Sequence, residues 1–139
     1  MRLWHYKLIP VLPDKMLVSQ WRECIAIKRQ WEKGTLKHRL VSYVMKYSRK
    51  YFLNYVADVV DELKHRNINY QNKYYLEIVE FCYKEKNNDF EYYPEHNDRY
   101  LKQCYYNLQE KADRGIITPE EWQKIQNEIG DDIYEHKFL

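Results

Sequence analysis

The chain has 139 residues and a formal net charge of +2, a length that suits one domain with a proper core. Hydrophobic residues make up 45%, fifteen Tyr among them, and only three Gly and four Pro interrupt, which favours helices over a turn-rich β fold. No apolar run is long enough to cross a bilayer, and the widely spaced Cys24, Cys82 and Cys104 lack the CxxC or CxxH pattern of a disulfide framework or zinc site.

Residues 1–13 read as an extended lead-in containing Pro10 and Pro13. Asp14 then suits an N-cap. Leu17, Val18, Trp21, Cys24, Ile25 and Trp31 recur at helical spacing, so a helix is expected over 14–32, with Gly34 to end it. Its other face carries Ser19, Arg22, Glu23, Ala26, Arg29, Gln30 and Lys33. Residues 34–49 are compatible with strand or helix and serve as a connection. Phe52, Val56, Val59, Val60 and Leu63 form one stripe, giving a helix over 50–66. Tyr75, Ile78, Val79 and Cys82 indicate a short helix, and KEKNNDFEYYPEHND reads as a loop. Tyr100, Leu101, Cys104, Tyr105 and Leu108 mark a helix over 96–114, closed by Gly115. Thr118-Pro119-Glu120-Glu121 is a capping box with proline at the first helical position, opening a helix that runs to Gly130. The tail DDIYEHKFL carries no clear periodicity. The expected fold class is all-α. It is a compact single-domain bundle over 1–139, with three main helices, shorter ones, and an extended N-terminal segment packed against the first helix.

Charge is distributed unevenly. The first fifty residues hold twelve Lys and Arg against three acids, and the remainder is acidic. Such asymmetry suits a polyanion partner. Mutual attraction of the two parts is the plainer alternative. With no leader motif, a reducing, cytoplasmic setting is the simplest expectation.

Within the basic stretch, Arg22-Glu23 stands out. Ser19 and Ala26 flank Glu23 on its own helix face, and both are small, which leaves room around the carboxylate. Arg22 and Arg29, seven apart, share one side. The plainer reading is a solvated face on which Glu23 softens repulsion. The α-amine of Met1 is a second candidate. Such amines titrate at about 7.7–8.0, so they are better nucleophiles near neutrality than ordinary lysines and can form imines. Most N-termini do nothing. The five His show no metal-ligand spacing, and the His of YPEH suits local hydrogen bonding or capping. The cysteines suit core packing. No GxxxxGK[ST], GxGxxG or GxSxG motif occurs.

A start containing Arg2, Leu12-Pro13-Asp14, Leu17, Trp21 and Arg22-Glu23 resembles the pyrimidine-dimer DNA glycosylases of the phage endonuclease V type, in a diverged bacterial-type branch. The likeness continues in ELKHRNI at 62–68, in Tyr92 to His96 and in NLQEK at 107–111. The resemblance implies removal of the damaged base by attack of the Met1 amine on the sugar C1′. An imine forms, Glu23 is the catalytic carboxylate, and strand nicking follows by β-elimination. It implies DNA contacts from Arg2 and Arg22, with Lys15, Lys28 and Arg29 extending the track. The family's second helix arginine is Ala26 here, and Arg29 or Lys28 is expected to substitute for it. The implied partner is damaged double-stranded DNA, with no membrane, no cofactor and no metal, and a monomeric protein. Two further readings stay open: a nucleic-acid-binding module of the same fold without the chemistry, and a tyrosine-rich protein-interaction domain.

Overall fold

The structure, a computed structural model, describes residues 1–84 and 91–134. Among these the protein is all-α, with five α-helices: α1 (Asp14–Lys33), α2 (Arg49–His65), α3 (Asn72–Tyr83), α4 (Asp98–Asp113) and α5 (Pro119–Tyr134). Two 3-10 helices, Tyr6–Val11 and Ser42–Lys46, complete it. The chain divides into two compact units. One comprises Met1–Leu3 with Lys15–Tyr93, the other Trp4–Asp14 with the chain from Pro94 onwards.

In the first unit, α1 buries Leu17, Trp21, Cys24 and Ile27. The α2 stripe of Phe52, Val56, Val59, Val60 and Leu63 is buried as its spacing requires, and α2 packs on α3. Trp31 stands edge-on to Phe52 at 5.9 Å and to Phe81 at 5.4 Å, tying the end of α1 to both. Helices α1 and α2 end alike. The Gly34 and Thr35 amides donate to Trp31 and Gln30, and those of Asn67 and Ile68 to Lys64 and Leu63. Both ends turn on a left-handed residue, Gly34 at φ 72° and Asn67 at φ 58°.

In the second unit, α5 packs on α4 and on the first 3-10 helix. Leu8, Ile9, Val11 and Leu12 join Leu101, Cys104, Tyr105, Leu108, Ile125 and Ile129 in its buried set. The expected capping box is present. The Glu121 amide donates to Thr118 Oγ1 at 3.1 Å, and the Thr118 amide to Glu121 Oε1 at 2.9 Å. Thr118→Ala should lower unfolding stability by about 1 kcal/mol, read as a lower urea midpoint with an unchanged slope.

Several expectations are corrected. Residues 6–11 are a 3-10 helix, not an extended segment: His5 Nδ1 accepts from the Lys7 amide and starts the turn, and Pro10 lacks only an N–H. Asp14 is the first helical residue rather than the cap, where its carboxylate meets the positive end of the helix dipole. Part of the connection 34–49 is the 3-10 helix Ser42–Lys46. The three expected main helices are present as α1, α2 and α4, and α3 and α5 join them. The last runs past Gly130 to Tyr134, because Ile125, Ile129 and Ile133 continue its buried stripe. The expected loop falls partly on 85–90, and the C-terminal residues 135–139 likewise lie outside the described residues.

Candidate nucleic-acid site on the first helix

A buried amide organises the start of the chain. Gln20 is 1% exposed, one position before Trp21 on the apolar side of α1. Its Nε2 donates to the Arg2 carbonyl at 2.9 Å and to Glu23 Oε2 at 3.1 Å. Its Oε1 accepts from the buried Tyr55 hydroxyl of α2 at 3.1 Å. The backbone next to Met1 and the Glu23 carboxylate are therefore joined through one nitrogen. Met1, Arg2 and Glu23 are all half-buried.

The next face of α1 borders a groove of about 340 Å3. Arg22, Ala26 and Arg29 line it from α1, and Asn69, Tyr70, Gln71 and Tyr74 line it from the turn before α3 and the start of α3. Trp21 fixes that turn, since its Nε1 donates to the Tyr70 carbonyl at 2.6 Å. The Arg29 guanidinium lies 5.3 Å from the centre of the Tyr74 ring, and Lys73 approaches the same ring at 4.9 Å. Cations beside aromatic rings suit a polyanion whose bases have π-faces. Glu23 lies outside this lining and faces the N-terminal side instead.

The candidate residues thus separate. Arg2 and Glu23 meet at Gln20, and Arg22 and Arg29 share the groove. Lys15 is exposed in the first turn of α1. Lys28 is directed elsewhere: its side chain is only 11% exposed, its ammonium pairs with Glu32 at 3.1 Å, and it lies over the Phe81 ring. It follows Cys24 by four residues, so the apolar stripe carries it inward. Of the two substitutes for the arginine missing at Ala26, Arg29 faces the groove. Burial, and secondarily the Glu23 carboxylate, push the Cys24 thiol far above its ordinary range, so it is an inert core group rather than a nucleophile. Cys24, Cys82 and Cys104 are all buried and unbridged.

His96, expected to serve local hydrogen bonding or capping, is buried in a ring cluster, and its backbone hydrogen-bonds to His5. It lies 5.5 Å from His5 and stacks parallel to Tyr6, while Asn97 caps α4 through the Tyr100 amide. Gln20 and Tyr55 were not among the expected site residues. The signal for Gln20 was a lone amide three residues after Leu17 and four before Cys24, where an apolar residue belongs.

A basic, aromatic-lined groove on the first helix suits a nucleic acid, and a carboxylate is tied to the N-terminal backbone beside it in sequence. Residues 1–76 match the family model of pyrimidine dimer DNA glycosylase, and this chain belongs to that family. The match holds Arg2, Glu23 and the whole groove, and stops short of Tyr92 to His96 and of NLQEK at 107–111. Comparisons with curated proteins and with solved structures give no match. The family acts on DNA, and no helix among the described residues is long and apolar enough to span a membrane.

Proposed function

We propose that residues 1–139 form one glycosylase domain that removes a damaged pyrimidine from duplex DNA and then nicks the abasic strand. The observation that carries this reading is the link from Arg2 through Gln20 to Glu23, which ties the backbone at the start of the chain to a carboxylate of the first helix. In this scheme the lone pair of the Met1 amine forms a bond to C1′ as the glycosidic C–N bond breaks, and the base leaves with the electrons of the broken bond and takes up a proton. The amine loses a proton and the sugar ring opens, giving an imine. Loss of a C2′ proton then expels the 3′ phosphate. Glu23 faces the cationic sugar of the first step and handles protons in the second. Arg2, Arg22 and Arg29 hold phosphates or stack near the lesion, with Lys15 at the edge of the track. Extrusion of a base supplies access to C1′, as in other enzymes that work inside the stack. The protein acts as a monomer in the cytoplasm, where its three unbridged thiols stay reduced.

Borohydride trapping tests this directly. The chain with a free N-terminus should give a covalent adduct with abasic duplex DNA, located at Met1 by peptide mass. The same chain acetylated at its N-terminus should bind the duplex and give none. Absence of an adduct from the free chain, or an adduct on a lysine, would overturn the mechanism.

A further inference from the structure

We infer that Gln20 and Tyr55 are positioning residues that set the distance between the N-terminal amine and Glu23. The inference rests on the function proposed above and names the side chains on which its geometry depends.

The argument starts from hydrogen-bond capacity. A glutamine amide has two N–H donors and a carbonyl acceptor. Both partners of the Gln20 nitrogen, the Arg2 carbonyl and the Glu23 carboxylate, are pure acceptors. An amide turned by 180° would set its oxygen against two oxygens, which is repulsive. The Tyr55 hydroxyl donates to the Gln20 oxygen and fixes the only workable orientation. Gln20 and Tyr55 are 1% and 2% exposed, so water does not compete for the bond between them. Burial of such a polar group on an otherwise apolar stripe costs stability unless it is satisfied. An apolar side chain would pack there more simply. The amide does what an apolar residue cannot: it holds one backbone carbonyl and one carboxylate in a fixed relation.

The contact at residue 2 is to the backbone carbonyl, one residue from the amine. It constrains where the amine sits without using a side chain that DNA needs. Tyr55 reaches from α2, so the relation between chain start and α1 is set by a second helix of the same unit. Neither residue touches the substrate in this scheme. They act through Met1 and Glu23.

The test compares the native chain with Gln20→Met, which keeps length and loses both donors, and with Tyr55→Phe, which keeps the ring and loses the hydroxyl. Three quantities are measured: affinity for a duplex bearing a non-reactive abasic analogue, the single-turnover borohydride-trapping rate at saturating enzyme, and the thermal midpoint. Affinity should change by less than about threefold, because the phosphate contacts remain. The trapping rate should fall by about 100-fold in Gln20→Met, the scale of an ångström's misplacement. It should fall by about tenfold in Tyr55→Phe. The double variant should trap no more slowly than Gln20→Met alone, because Tyr55 acts through Gln20. Tyr55→Phe serves where Gln20→Met melts below the assay temperature. Native-rate trapping by either variant, a loss that lies wholly in affinity, or additive losses in the double variant would overturn the positioning role while leaving the enzyme reading intact. No adduct from the native chain would overturn both.

Discussion

Glu23→Gln is expected to lower nicking of abasic duplex DNA by about 100-fold or more, with duplex affinity unchanged or slightly higher. The substitution keeps the shape and an acceptor oxygen for the Gln20 amide, so the local fold is retained. What it removes is negative charge and basicity. Both matter only when a cationic sugar or an acidic C2′ proton is present, so the loss falls on the chemical steps. Glu23 lies outside the groove that Arg22 and Arg29 line, so the substitution leaves those two cations in place. The measurement is single-turnover cleavage at saturating enzyme beside a filter-binding or anisotropy titration. Full nicking activity in the variant would sink the assignment of Glu23, whatever happened to binding.

The second large effect concerns stability. Acidification from pH 7 to pH 4 should destabilise the protein by several kcal/mol through His5 and His96. Burial lowers the His5 pKa to about 4, against hydrogen bonding to the backbone of His96 and Asn97, which raises it. Burial, with the charge of His5 second, lowers His96 to about 3. Both rings are therefore neutral in the folded protein where the unfolded chain, with ordinary histidines near 6.5, takes up protons. Stability is at its full value above that pH and falls as the pH drops, from about 6.5 to about 4 for His5 and to about 3 for His96. The fall levels off once the folded rings protonate as well. At about 1.4 kcal/mol per pKa unit, each ring contributes about 3 kcal/mol of this loss. Urea midpoints measured at pH 7, 6, 5 and 4.5 should decline. His96→Phe, which keeps a ring in the cluster, should flatten the decline. A midpoint that is constant from pH 7 to pH 5 would show that the pair titrates normally.

Much of the fold was legible because the apolar spacing is regular. The stripe of α1 and Gly34 gave its ends to within a residue, and Thr118 with Glu121 gave the start of α5. The first 3-10 helix was not legible, because its start depends on an imidazole accepting a backbone N–H, and prolines in a short apolar stretch suggest extended chain. Of the candidate site, the charge of Arg22 and Arg29 and the oddity of Glu23 could be read directly. Gln20 could not be read as a link, since its partners Arg2 and Tyr55 are 18 and 35 residues away. Lys28 misled for a related reason: charge suggested the surface, while its register carried the stem inward beside Phe81. The groove's second wall depends on two left-handed residues, Asn67 and Gln71, in the turn before α3. Asparagine and glutamine there give only a weak signal for that conformation.

The division of the chain also bears on its synthesis. Residues 4–14 belong with the chain from Pro94 onwards, so the segment made almost first finds its packing partners last. On the ribosome, α1 to α3 can assemble while this segment still lacks α4 and α5. At about 5–20 residues per second, that interval lasts several seconds. A nascent chain in that interval has its arginine groove but not the anchorage for the residues that follow Leu3. A chain that ends before α5 leaves the first 3-10 helix without the helix it packs on.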